Sequence, residues 1–222
     1  MFKGFTDKTF EFFMALRFNN NREFFYENHD WYMESVRKPL IALAAELGEE
    51  IEKIDENLER RPERNVSRIN RDLRFSKDKS PYRDWMWLSF HDIDNRYTSV
   101  GFYVDISAEH VGWGMGFYDE NRALMDAHRK RLAAHPEEFD RLLKALCTDF
   151  TPNLRVFKRM QVPEQLPESV RNWYPLRSFD LSCVTRDIEL MTSPALADVI
   201  KHGFDQLSGI YRWFAARKAE II

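Results

Sequence analysis

Three strand-like segments follow one another between Trp85 and Phe117 with no helical pattern between them, and this run limits the fold more than any other stretch. The middle segment, Ser99 to Ser107, alternates cleanly: Val100, Phe102, Val104 and Ile106 fall on one side, and Gly101, Tyr103 and Asp105 on the other. In the third, Val111, Trp113, Met115 and Phe117 share one face, while Gly112, Gly114 and Gly116 share its opposite. The first, Trp85 to His91, is bulky at both parities, which predicts a strand covered on both faces. A doubly wound sheet needs strands and helices to alternate. Consecutive strands flanked by helical runs instead predict an α+β fold, with a mainly antiparallel sheet of about five or six strands against N-terminal, middle and C-terminal helices.

The flanking segments carry helical periods. Thr6 or Asp7 can cap a first helix with Phe10, Phe13, Ala15 and Leu16 inward, and Asn19-Asn20-Asn21 breaks it. A second helix is predicted from about Arg22 to Val36, kinked or restarted at Pro39 and stopped at Gly48. Asp119 is read as the cap of a helix reaching Ala134. Pro136 opens another, with Phe139, Leu142, Leu143 and Leu146 as its core stripe. Four prolines make 151–177 read as an irregular loop with one short strand near Arg155 to Arg159. Phe179 to Met191 reads as a strand. Ser193-Pro194 then starts a terminal helix with Leu196, Val199, Ile200, Phe204, Leu207 and Tyr211 inward.

Composition narrows the class. Aromatic residues make up 14% of the 222 positions, enough for a large core, and no linker-like stretch interrupts the chain, so a single domain over 1–222 is expected. The net charge of −3 argues against general coating of nucleic acid. Cys147 and Cys183 stand apart with no Cys-x-x-Cys spacing, so neither a zinc site nor a disulfide framework is expected. The opening residues lack the apolar run of a signal peptide, and no stretch has the apolar length of a membrane span. A cytoplasmic protein without a membrane partner is the expectation.

Against that balance, Arg60 to Arg83 holds nine bases and three acids, a local charge of +6. Arg68, Arg71, Arg74 and Lys77 recur at three-residue steps, and Lys79 and Arg83 follow. The turn formers Asn70, Asp72, Asp78 and Ser80-Pro81 place these bases on a loop after a short strand. Guanidinium forks suit phosphate and carboxylate groups. The first expectation is therefore a site for a phosphorylated or otherwise anionic small molecule formed by Arg68, Arg71, Arg74, Lys77, Lys79, Tyr82 and Arg83. The second is a nucleic-acid or acidic-protein surface with Trp85 and Trp87 available for stacking. The third is a structural network in which Asp72, Asp78 and the acidic run Glu46 to Glu59 pair with the bases.

Other candidates are weaker. Asp105, with Tyr103 beside it, is the candidate base if any chemistry occurs. The Gly112/Gly114/Gly116 face could admit a ligand, but a covered face is the simpler account, because interiors leave few voids. His91-Asp92-Ile93-Asp94 has metal-ligand types, yet Asp92 to Asn95 reads as a hairpin turn, and no metal is expected. His110 beside Glu109 reads as a solvated histidine. Asp187 and Glu189 fall on one face of the late strand, where pairing with bases is the simpler role. No Gly-x-Ser-x-Gly, phosphate-binding glycine loop or His-Glu-x-x-His is present, and the sequence assigns no reaction, cofactor or oligomeric state.

Two segments together resemble a known family. Asn19-Asn20-Asn21-Arg22-Glu23-Phe24-Phe25 is similar to its Asn-Asn-x-Lys/Arg-Glu-Trp-Phe segment. Arg68-Ile-Asn-Arg-Asp-Leu-Arg-Phe-Ser-Lys-Asp-Lys-Ser-Pro-Tyr82 closely resembles its long central signature, and Gly101-Phe-Tyr-Val-Asp-Ile106 fits as well. The family is domain of unknown function 2461, and the resemblance covers nearly the whole chain. It implies a single intracellular domain of about this length and no established activity, cofactor or catalytic residue. Arg68, Arg71, Asp72, Arg74, Phe75, Lys77, Asp78, Lys79, Pro81 and Tyr82 match the signature with no role attached. The chain departs from the pattern at Arg83, where Lys is usual, and over Met160 to Arg177.

Overall fold

The computed structural model describes residues 1–74, 77–94, 99–117, 119–146 and 148–215. Phe75 of the signature, Asn95 of the expected turn and Cys147 lie outside them. The helices, in chain order, are α1 (Asp7–Phe18), α2 (Arg22–Glu27), α3 (His29–Tyr32), a π-turn (Met33–Arg37), α4 (Lys38–Ile54), α5 (Pro62–Asn65), α6 (Arg122–Ala134), α7 (Pro136–Ala145), α8 (Glu168–Arg171), α9 (Ile188–Met191) and α10 (Ala195–Ala215). The strands are β1 (Trp85–Phe90), β2 (Gly101–Ser107), β3 (Val111–Gly116), β4 (Thr151–Val156) and β5 (Leu176–Thr185). They form one five-stranded antiparallel sheet in the order β1-β2-β3-β5-β4, so the fold is α+β. Among the described residues no helix is long and apolar enough to cross a membrane.

The chain divides into two compact units. The first comprises Met1–Phe90, Tyr103–Trp113 and Val184–Lys201. In it, α1 buries Phe10, Phe12, Phe13 and Leu16 at helical spacing. Asn21 ends the break after α1 by capping α2, accepting the Phe24 N–H at 2.9 Å. Pro39 restarts the helix, as expected, standing in the first turn of α4. Its missing N–H and ring conflict with the carbonyl four residues back, and the chain absorbs this as the π-turn that runs into α4. That carbonyl, on Ser35, receives the buried Thr9 hydroxyl at 2.6 Å instead. Gly48 does not stop α4, because Ile51 and Ile54 extend the buried stripe of Leu40, Leu43, Ala44 and Leu47 beyond it.

β1 corrects a further expectation. It alternates in burial, with Met86, Leu88 and Phe90 inside, so only one of its faces joins the core. The bulk of Trp87 on the other face meets the Arg83 guanidinium, 4.9 Å from the ring centroid. The late strand ends at Thr185, and Asp187 caps α9 by accepting the Glu189 N–H at 3.0 Å. Asp187 and Glu189 therefore do not share a sheet face. Val199 of α10 is 37% exposed rather than inward.

The second unit comprises His91–Phe102, Gly114–Cys183 and His202–Ile222. Here the proline-rich segment holds more structure than expected. β4 starts at Thr151 and pairs antiparallel with β5, Thr151 opposite Ser182 and Arg155 opposite Ser178, and α8 follows within the same segment. An edge position explains why β4 tolerates Pro152, since no inner ladder needs its missing N–H. Asn121, not Asp119, caps α6, accepting the Leu124 N–H at 3.0 Å. Of the expected α7 stripe only Phe139 is fully buried.

The glycine face of β3 is covered. A side chain at Gly116 would meet the Phe179 carbonyl oxygen at 2.4 Å, so the backbone of β5 needs a residue without Cβ there. At Gly112 a Cβ would lie 2.6 Å from the Asp105 carboxylate, both in the first unit.

The core of the second unit closes on His128, which is 3% exposed and stacked on Phe214 at 4.7 Å. An indole N–H can only donate, so the bond from Trp213 Nε1 makes His128 Nδ1 an acceptor at 2.9 Å. Nε2 then carries the proton and donates to the Trp173 carbonyl at 2.8 Å. Burial, reinforced by Arg129 and Arg131, pushes the imidazole down to about 4 against its ordinary 6.5, with the Trp173 bond opposing. The unfolded chain thus takes up a proton that the folded one refuses. The contribution is complete above pH 6.5 and is lost as pH falls towards 4, by about 3 kcal/mol. Urea unfolding at pH 7.5 and pH 4.5 is expected to show this loss, and a His128→Gln variant, weaker at pH 7.5, is expected to lose much of the pH dependence.

Candidate functional site

The signature segment folds back on itself as a hairpin rooted on β1. Val66 bridges Leu88, and the Ser67 N–H donates to the Trp87 carbonyl at 2.8 Å. Further out, Asn70 bridges Tyr82, with the Arg71 N–H donating to the Pro81 carbonyl at 2.9 Å and the Arg83 N–H to the Ile69 carbonyl at 2.8 Å. The turn formers then act at the tip. Asp72 accepts the Arg74 N–H at 3.1 Å, and Asp78 accepts the Ser80 N–H at 2.9 Å and its hydroxyl at 2.6 Å.

The root is held by the other family segment. The Asn20 side-chain amide donates to the Tyr82 carbonyl at 2.9 Å and accepts the Tyr82 N–H at 3.0 Å, completing both backbone groups as a neighbouring strand would. The Tyr82 ring, 7% exposed, stacks on Phe25 at 4.2 Å and 22°. An open groove of about 680 Å³ beside this stack is lined by Arg22, Phe25, Tyr26, Glu27, His29, Asp30 and Tyr82.

The six bases expected to clamp a ligand separate into three kinds. Arg83 serves the hairpin: its guanidinium donates to the Arg68 carbonyl at 2.8 Å and the Asn70 carbonyl at 2.5 Å, and burial, aided by nearby Arg71, holds its pKa below the usual arginine value. Lys79 also serves the hairpin, with Nζ donating to the Leu73 carbonyl at 3.1 Å. Arg71 pairs with Asp78, and Arg74 pairs with Asp72 at 2.7 Å, lowering that carboxyl to about 2 through the Arg74 hydrogen bonds. These pairs involve exposed acids, so water screens them. Arg68 and Lys77 are exposed and have no side-chain partner among the described residues. The acidic run Glu46 to Glu59 pairs with the first bases of the basic stretch rather than with the hairpin. Arg60 meets Glu52, while Arg61 and Arg64 meet Glu59, at 2.5 and 3.7 Å for the latter two.

The weaker candidates meet at the β2–β3 turn. Asp105 accepts from His110 Nε2 at 2.8 Å, and His110 Nδ1 lies 2.9 Å from the Ser107 hydroxyl. His110 is therefore not a solvated residue but the middle of a carboxylate–imidazole–hydroxyl row. Sequence reading missed this row because only the β2–β3 register brings positions 105 and 110 together. Ser107 Oγ also accepts the Glu109 N–H at 3.2 Å. Ser107 is 5% exposed, so this hydroxyl closes the turn from inside. Arg17, also missed, joins α1 to the region by donating to Asp84 at 2.8 Å and Glu109 at 2.6 Å, which raises its pKa, Glu109 being the larger cause. Tyr103 is half-buried on β2. No group of three or more His, Cys, Asp or Glu among the described residues is placed to hold a metal ion.

The Asn20 clamp yields a stability test. Removing both bonds by Asn20→Ala strands two partly buried backbone groups and is expected to cost about 1–3 kcal/mol in denaturant unfolding. Tyr82→Phe, which keeps the ring stack and both backbone bonds, is expected to stay within about 1 kcal/mol of the parent.

The comparisons agree with this geometry in placing both segments within one family. A search of curated proteins finds no match. The family model described as conserved hypothetical protein DUF2461 matches residues 8–213, a span that includes the clamp and the hairpin it holds. The chain belongs to the DUF2461 family of conserved hypothetical proteins.

Proposed function

We propose that this protein is an anion-binding domain whose signature hairpin takes a phosphorylated or otherwise anionic small molecule on Arg68 and Lys77, with Arg71 and Arg74 joining when ligand replaces their carboxylates. The observation that carries the reading is the separation among the bases. Arg83 and Lys79 hold the hairpin's own carbonyls, which leaves Arg68 and Lys77 exposed and without side-chain partners among the described residues. A ligand oxygen can displace Asp72 or Asp78 at small cost, because surface ion pairs are weak in water. A purely structural network is disfavoured by that same weakness. Whether the domain also performs chemistry is a separate matter, and Asp105 with His110 is the place to look for it.

A second reading has one observation in its favour. Trp85 is 43% exposed with its ring 4.9 Å from that of Trp87, an aromatic step on the strand from which the hairpin rises. Such a step beside bases suits a single nucleic-acid strand, its bases stacking and its phosphates paired.

A thermal-shift screen at low salt separates these readings, using phosphorylated metabolites, nucleotides and short oligonucleotides with sulfate as control. A ligand at 100 times its dissociation constant adds about 2.7 kcal/mol, a rise of roughly 5–10 °C for a chain of this size. The expected result is a rise with a small phosphorylated compound that disappears in Arg68→Ala/Lys77→Ala while the unliganded melting point holds. A rise confined to oligonucleotides and lost in Trp85→Ala would select the second reading. A screen in which no compound's shift is reduced by Arg68→Ala/Lys77→Ala would contradict both.

A further inference from the structure

The second unit contains a basic cleft remote in sequence from the signature. It occupies about 560 Å³ and is lined by Arg122, Asp126, Arg129, Phe157, Lys158, Arg159 and Met160. One wall is α6, where positions 122, 126 and 129 recur at helical spacing along one stripe. The other is the turn that follows β4, fixed by the Phe157 N–H on the Pro175 carbonyl at 2.8 Å and the Met160 N–H on the Phe157 carbonyl at 3.3 Å.

The charges in the cleft are not balanced internally. Arg129 is largely buried, its side chain 11% exposed, and is held by the Leu176 carbonyl at 3.0 Å and Asp126 at 2.7 Å. Asp126, the one acid in the lining among the described residues, is thereby engaged. Arg122, Lys158 and Arg159 have no hydrogen-bond or ion-pair partner among the described residues. Mutual repulsion of three cations around a concavity is relieved by an anion, and the low-dielectric wall focuses their field. Phe157, 37% exposed, and Met160 add an apolar surface to the same cleft. The volume falls in the range of small-molecule pockets.

We infer that this cleft is a binding site for a phosphate monoester bearing a planar ring, the phosphate held by Arg122, Lys158 and Arg159 and the ring lying on Phe157 and Met160. It is independent of the hairpin reading, because its residues belong to the other unit. Calorimetric titration of the full chain with adenosine monophosphate, phenyl phosphate, adenosine and inorganic phosphate tests the assignment. The two ring-bearing monoesters are expected to saturate the cleft, with adenosine and inorganic phosphate at least tenfold weaker there. Lys158→Ala/Arg159→Ala, which alters exposed positions of a turn, is expected to weaken them at least tenfold at an unchanged melting point, and to do so equally in the Arg68→Ala/Lys77→Ala background. Absence of saturable binding by either monoester would overturn the proposal. So would binding unaffected by Lys158→Ala/Arg159→Ala, or inorganic phosphate matching the monoesters. Loss only in Arg68→Ala/Lys77→Ala would assign the binding to the hairpin and overturn the cleft.

Discussion

A side-chain amide that stands in for a strand governs how this family's signature is displayed. Asn20 offers one donor and one acceptor at the spacing of a peptide group, and Tyr82 presents the complementary pair. The bonds join the break after α1 to the root of the basic hairpin, and the stack of Tyr82 on Phe25 excludes water from one side of them. A loop of like charges does not hold itself together. Its order comes from this neutral clamp, from the short ladder across Asn70 and Tyr82, and from Arg83 bound to two main-chain carbonyls.

Because the clamp and Arg83 fix the stem, the remaining bases are released from structural duty in different degrees. Arg71 and Arg74 rest on local aspartates at the surface, and Arg68 and Lys77 stand without partners among the described residues. A segment that needed its charges only for stability would bury its pairs, where loss of one partner is costly. Exposed pairs on a fixed stem are instead suited to exchange. The second unit repeats the pattern with different parts: Arg129 is fixed by a carbonyl and by Asp126, leaving its neighbours Arg122, Lys158 and Arg159 around an open concavity.

Much of this was legible in the residues themselves. The unbroken succession of strands after Trp85 led to the antiparallel sheet, and the alternation of Phe102, Val104 and Ile106 to its buried face. The Arg/Lys stretch was recognisable as a turn-rich loop from Asp72, Asp78 and Ser80-Pro81. Illegible were the features made by residues distant in the chain. Nothing local tells that Asn20 serves position 82, that His110 meets Asp105, or that Arg122 and Lys158 face one cleft. Errors of local reading arose where tertiary context prevailed over propensity. Gly48 stays helical because apolar positions on both sides keep the helix packed, Pro152 sits in a strand because that strand is at an edge, and Trp87 adds bulk to β1 for the sake of a guanidinium rather than a second core face.

Native-state amide exchange on the parent and on Asn20→Ala tests the clamp most directly. The amides of Arg71, Tyr82 and Arg83 report the stem, and those of β2 and α4 report the surrounding fold. If the clamp orders the hairpin, the three stem amides lose at least tenfold protection in the variant beyond any change in β2 and α4. Equal loss everywhere, or unchanged protection at the stem, would contradict the account and leave the hairpin's order to its own ladder.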